Sequence, residues 1–404
     1  MKTTTYATTL SLALGWTNVA ARPVSEQQNA ATPSIAGGNQ TAAEAAAAKS
    51  HALEADILGL NAFLGGDDLN SINNVNPDPK DRIYPKRSEK DAPYSLSEQE
   101  LRSKIFIPKT FSASSKKQPV ILVPGTAAMA GSTYRANLAP LLAKSDFADP
   151  LWVNIPGASL GDAQGNAEYV AYAVNYVRSA TGKRPAVVAW SQGNLNAQWA
   201  LKYWPSTREA VTDLVAMSPD FHGTTEAFIA CGTGPAAAAV GCTPSVYQQG
   251  YDSQFVRTLR ANGGDSAYVP TTSIFSATDQ IVQPQSGPGA SAFLKDGKDG
   301  AKASNVEVQT VCPPGTPAGG TVTHEGMLYN AVAFALLRDA LANEAGPGRL
   351  EKVDKKKACA DPAAGDMDAL SIQATKAVLA DAAKNVLVYP NKVKREPAIR
   401  DYAR

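Results

Sequence analysis

Ala186-Val187-Val188-Ala189-Trp190-Ser191-Gln192-Gly193-Asn194-Leu195 passes from a continuous apolar run into a serine, and then into Leu195 to Trp204, which has helical spacing. A short valine-rich run bounded by a turn reads as a strand buried on both faces. Strand, serine and helix in immediate succession form the context of a nucleophile elbow, which holds a serine hydroxyl out at the end of a strand. The turn is sharp, so the residues two before and two after the serine must be small. Here they are Ala189 and Gly193. The usual pattern has Gly in the first position, so this chain departs from it by one methyl group. Taken alone, S-x-G is weak evidence, since an ordinary serine in a strand–helix turn accounts for it more readily, and partner residues must decide.

The flanking sequence repeats the alternation. Pro119 to Pro124 (PVILVP), Leu151 to Ile155 (LWVNI), Val211 to Ser218 (VTDLVAMS) and Thr272 to Ser276 (TSIFS) read as further strands. Asn166 to Ser179 is helical, with Tyr169, Tyr172, Ala173 and Tyr176 on one side, and Val332 to Leu341 is the last clear helix. Strands alternating with helices predict an α/β fold with a mostly parallel sheet flanked by helices, and the elbow context points to the α/β-hydrolase kind. The 404 residues suffice for one such domain with tails.

The chain ends divide by composition. Met1-Lys2, the apolar Thr9 to Trp16 and the small residues Val19-Ala20-Ala21 predict an export signal over 1–21, hence a secreted, extracellular protein. Residues 22–50 and 65–95 are polar and rich in Ala, Asn, Pro or Asp, with an alanine-rich helix expected over Ala43 to Leu64. Segment 22–87 thus reads as a pro-segment or flexible extension, and 88–404 as the catalytic domain. Lys86-Arg87 is a dibasic pair at which a processing protease could cut, or simply two surface cations. Asn39-Gln40-Thr41 is a glycosylation sequon. The net charge of +1, spread along the chain, gives no support to a nucleic-acid partner or an anionic membrane surface. No run reaches the ~20 apolar residues of a membrane span. The four cysteines agree with an oxidising compartment, and none has zinc-site spacing. No metal or cofactor is expected.

Only three histidines are available as a general base: His51, His222 and His324. His51 lies in the N-terminal extension. The hydrolase order is Ser, acid, His, with the His on a late loop. His324, in a loop entering the last helix, satisfies that order. His222 follows Asp220 too closely for separate strand-end and loop placement, and reads as a polar loop residue. Two strand-end carboxylates, Asp220 and Asp279, lie between Ser191 and His324, and spacing does not separate them.

A family resemblance does. VILVPGT (Val120 to Thr126), WSQG (Trp190 to Gly193), AQW (Ala197 to Trp199), Pro219-Asp220, Gly223-Thr224, PSV from Pro244, Gln248-Gln249, VPTT from Val269, SATD (Ser276 to Asp279), IVQPQ (Ile281 to Gln285) and His324 stand in colinear order. From about Lys117 to Arg404, the chain resembles the secreted fungal lipase family typified by Candida antarctica lipase B. The resemblance implies Ser191 as nucleophile, Asp279 as acid and His324 as base. It implies an oxyanion hole from Thr126 (backbone N–H and hydroxyl) and the Gln192 N–H, where losing one donor typically costs ~2.7–4 kcal/mol. Asp220 becomes a structural and pocket position, with Trp190 and Ala128 on the alcohol side. The Met367 to Leu387 segment resembles the helix over the acyl side. The implied partner is a lipid or other apolar ester, handled by a monomer without stable membrane anchoring. A short-chain esterase or polyester hydrolase, and a non-catalytic surface-binding protein on a hydrolase scaffold, are the alternatives.

The family has Thr where Ala189 stands and a second Gly where Asn194 stands. It also has a bridge to a Cys where Leu151 stands here. Cys312 and Cys359 match a family bridge, worth roughly 4 kcal/mol by loop entropy. Cys231 and Cys242 lie in an inserted segment, Ala227 to Val246, and are expected to pair, worth roughly 3 kcal/mol. That segment is expected to flank the cleft, either as a partial lid or as a stapled surface loop.

Overall fold

A computed structural model describes residues 59–66, 68–227, 239–343 and 346–404. The export signal, the Asn39 sequon, His51 and Cys231 lie outside the described residues. The fold centres on one sheet of β1 (Ile105–Phe106), β2 (Gln118–Val123), β3 (Ala148–Val153), β4 (Ala186–Trp190), β5 (Leu214–Met217), β6 (Thr271–Phe275) and β7 (Ala303–Glu307). The strand order is β1-β3-β2-β4-β5-β6-β7. β1 runs antiparallel to β3, and every other neighbouring pair is parallel. This is the expected α/β-hydrolase sheet, with β4 at its centre.

Side chains alternate across β4. Val187 and Ala189 belong to one apolar cluster with Val170, Val174 and Leu195, contributed by α2 (Ala163–Thr181) and α3 (Gln192–Tyr203). Val188 and Trp190 belong to another, with Tyr134 of α1 (Ala130–Tyr134) and Leu336 of α4 (Ala331–Ala342). Period-2 alternation with both faces covered explains why β4 shows no polar residue. Each fully buried Val or Leu contributes about 1.5–3 kcal/mol, so the central strands carry much of the core. α2 begins at Asp162, whose side chain accepts from the Gln164 N–H, and stops at Gly182 with φ +72°. Both are sequence-encoded start and stop signals.

Two strands go beyond those expected from the sequence. β1 has only two residues, and β7 (ASNVE) buries only Val306, as suits a polar edge strand. The expected boundary at residue 88 falls within a segment packed on the domain. Leu64, Leu69 and Ile83 are buried. The Trp152 indole N–H and the Asn154 amide both donate to the Leu69 carbonyl at 2.9 Å. Asn74 donates to Ser71 and Ser103 carbonyls, and Asn76 to those of Arg102 and Ile105. Asparagine amides here take the place of a backbone ladder, which apolar periodicity does not register.

At the other end, Arg400 reaches the buried Glu168 of α2, whose carboxylate also accepts from Ser95 N–H and Oγ at 2.7 Å. Cys312 and Cys359 form a disulfide with sequence separation 47. The Cys231–Cys242 pairing and the middle of the expected lid fall outside the described residues.

Candidate active site

Ser191 sits between the last residue of β4 and the first of α3, at φ +55° and ψ −132°. That backbone region is sparsely populated for a side chain with a Cβ and costs of order 1–3 kcal/mol. Hydrogen bonds hold the strain in place. Ser191 N–H donates to the Met217 carbonyl at 3.0 Å, and Asn194 N–H donates to the Ser191 carbonyl at 2.9 Å. The expected helix start at Leu195 moves back to Gln192, so the Gln192 N–H lies in the unpaired first turn.

Small residues are dictated by close approach. A Cβ on Gly193 would lie 2.7 Å from the Val123 carbonyl oxygen and 2.8 Å from that of Pro124. A Cβ on Gly125 would lie 2.8 Å from Ser191 Cβ and 2.9 Å from Trp190 Cε3. β2 and the loop after it therefore touch the elbow directly. Ala189, the position that departs from the usual glycine, is fully buried in the first apolar cluster.

The expected base and acid, His324 and Asp279, lie on two later loops. His324 Nδ1 lies 2.7 Å from Asp279 Oδ2, with both side chains buried. Asp279 follows β6, and its Oδ1 accepts from the Ile281 and Val282 N–H groups, each at 2.8 Å. The His324 backbone is pinned as well. Its N–H donates to Gln280 Oε1 at 2.9 Å. Its carbonyl accepts from the Trp190 indole at 3.1 Å and from Ser218 Oγ at 3.0 Å. The Trp190 and His324 rings lie 5.0 Å apart by centroid, which ties His324 to the residue preceding Ser191. With Nδ1 engaged by Asp279, a base role for His324 would fall to Nε2.

Asp220 takes a different position. It follows β5, is fully buried, and neither carboxyl oxygen has a hydrogen-bond partner. Burial pushes its pKa up to about 7, against the opposing effect of His324 and with added repulsion from Asp279. His222 is outside this group. Its Nε2 lies 2.8 Å from Asp265, which also pairs with Arg260 and Lys295. Burial and the Arg260 charge hold the His222 imidazole below its usual value, against the pull of Asp265.

Thr126 lies on the loop after β2. Its hydroxyl donates to Gln249 Oε1 at 2.8 Å. Gln249 Nε2 donates in turn to Gln192 Oε1 at 3.2 Å, and Gln192 Nε2 to the Ser159 carbonyl at 3.1 Å. A buried chain of amides thus joins the two expected oxyanion donors. Gln249 belongs to the Gln248-Gln249 match, but nothing in its spacing assigns it this contact. Ala128 is buried in the same apolar cluster as Trp190. Ala127, Leu160 and Val246 form a small third cluster, against which Ala382 and Val386 of α5 (Ala369–Val388) pack. Asn385 of α5 donates to the Ala127 carbonyl at 2.8 Å, so this helix is fastened beside the Thr126 loop.

Comparison with known proteins agrees with this architecture. Lipase B of Pseudozyma antarctica is 36% identical over 297 residues, covering 72% of this chain and 81% of that protein. The crystal structure of Aspergillus fumigatus lipase B superposes with a TM-score of 0.79 at 46% identity, covering 91% of this chain and 90% of that one. No family model matches the chain.

Proposed function

The chain belongs to the lipase B family and is an ester hydrolase of the lipase and carboxylesterase type, and from that premise we propose that Ser191, His324 and Asp279 perform acyl transfer through a serine-bound acyl intermediate. The observation that carries the reading is the buried 2.7 Å contact between His324 Nδ1 and Asp279 Oδ2, with His324 also tied to Trp190 beside the strained Ser191.

His324 Nε2 takes the Ser191 hydroxyl proton as Oγ attacks the ester carbonyl. Asp279, with three donors converging on its carboxylate, fixes the imidazole tautomer and stabilises the imidazolium. The oxyanion is held by the Gln192 and Thr126 N–H groups. The Thr126 hydroxyl joins them only by leaving Gln249 Oε1, the acceptor it has in the resting enzyme. The tetrahedral intermediate collapses as His324 returns the proton to the departing alcohol. Water, activated by the same nitrogen, then releases the acid.

The substrate class is an apolar acyl ester, as in acylglycerols. The Ala127, Leu160 and Val246 cluster, walled by Ala382 and Val386, supports an apolar surface beside the oxyanion loop. Trp190 and Ala128 bound the alcohol side, and Asp220 is a pocket and structural acid. We also assign the chain to the extracellular space, on its export signal and the Cys312–Cys359 bridge.

The test is hydrolysis of short- and long-chain esters by wild type, Asp279→Asn and Asp220→Asn. Loss of about 10⁴-fold in Asp279→Asn with near-normal Asp220→Asn is expected. The reverse pattern would transfer the acid role to Asp220.

A further inference from the structure

Asn194 stands three residues after Ser191, in the first turn of α3, and is fully buried. Its side-chain nitrogen Nδ2 lies 3.0 Å from the Ser191 carbonyl oxygen, 3.3 Å from that of Ala189 and 3.3 Å from that of Met217. These carbonyls bracket the nucleophile. Ala189 is two residues before it on β4, Ser191 carries it, and Met217 on β5 already accepts the Ser191 N–H. One amide group thus joins both strands to the elbow residue.

The amide has only one workable orientation. Turned over, Oδ1 would face three carbonyl oxygens with no donor between them. In the orientation present, Oδ1 is buried with no partner. An alanine at 194 would bury no such orphan acceptor, so the side chain is a poor choice for core stability alone. Its return is local. Its two N–H groups are shared among the three carbonyls that must stay in place for Ser191 to hold φ +55° and ψ −132°.

We infer that Asn194 is a positioning residue, fixing the strained elbow so that Ser191 Oγ and the neighbouring Gln192 N–H keep their catalytic register. It acts through backbone carbonyls and touches no reacting atom. The inference rests on Ser191 as nucleophile. Absence of fluorophosphonate labelling in wild type would sink that premise, whereas the outcomes below concern Asn194 alone.

The experiment compares full-length wild type with Asn194→Ala, Asn194→Gly and Asn194→Asp. Active-site titration with a fluorophosphonate gives the competent fraction, and a short-chain p-nitrophenyl ester gives kcat per titrated site and KM. The expected result is full titration and KM within about two-fold of wild type. On that basis kcat per site falls about 10-fold for Ala and Gly and about 100-fold for Asp, which sets an acceptor against three acceptors. The pH midpoint of kcat/KM stays where it is in wild type. Unchanged kcat per titrated site, with only the competent fraction or Tm reduced, would mean a purely structural role and overturn the inference. A loss confined to KM would overturn it as well. If Asn194→Asp does not fold, the Ala and Gly variants decide by the same criteria.

Discussion

Replacing Asp220 by asparagine should flatten the pH dependence of stability while sparing activity. The carboxyl is fully buried, neither oxygen is hydrogen-bonded, and burial pushes its pKa up to about 7. In the unfolded chain the same group ionises near pH ~4. Between these values the folded protein keeps a proton that the unfolded chain has released. Stability contributed by the neutral acid is therefore complete below about pH 4, and is lost as pH rises to about 7. The gap amounts to about 4 kcal/mol at 1.36 kcal/mol per pH unit. An asparagine side chain at this position would be neutral at every pH and similar in shape. Asp213, also buried and raised to about 7, contributes a parallel slope to both proteins. The wild-type-minus-variant difference thus isolates Asp220. Urea unfolding at about pH 4.5, 6 and 8 should show the variant gaining several kcal/mol relative to wild type across the series. Ester hydrolysis should stay within a few-fold of wild type at neutral pH. Parallel stability curves would refute the buried, neutral description of Asp220. Collapse of activity would refute its exclusion from the triad.

Three further outcomes follow from local geometry. Gly125→Ala puts a methyl group 2.8 Å from Ser191 Cβ. It should cut kcat by about 100-fold in a soluble-ester assay, and normal kcat would show that the loop yields freely. The Cys312→Ser/Cys359→Ser variant opens a 47-residue separation and should lose about 4 kcal/mol in denaturant unfolding. An unchanged midpoint would mean that the bridge constrains little. Arg400→Met strips the buried Glu168 of its cation and should cost about 3–5 kcal/mol. A loss below about 1 kcal/mol would show that the Ser95 and Leu96 donors suffice.

Much of this arrangement was legible in the sequence because it depends on local pattern. The unbroken apolar run before Ser191 marked β4. The small residues around the serine marked the turn, and the scarcity of histidines singled out His324. Asp279 and Asp220 could not be separated by spacing, since each follows a strand of the same sheet; the family resemblance favoured Asp279. The two carboxylates differ in their donors: Asp279 meets two backbone N–H groups and the imidazole, whereas the Asp220 carboxyl oxygens have no hydrogen-bond partner, a contrast that supports the proposed assignment. What the sequence concealed is held by polar side chains across long separations. The Asn74 and Asn76 contacts, the Thr126–Gln249–Gln192 chain and the Asn194 clamp all depend on where an amide points after folding. β7 escaped for a related reason, since four of its five residues are only partly buried and leave no apolar trace.

The most direct test of the central claim is mass-spectrometric mapping of a fluorophosphonate adduct on the folded protein. A single phosphonylated peptide carrying the adduct on Ser191, absent from Ser191→Ala and strongly slowed in His324→Ala, is the predicted result. An adduct on another residue, or undiminished labelling of Ser191→Ala, would contradict it.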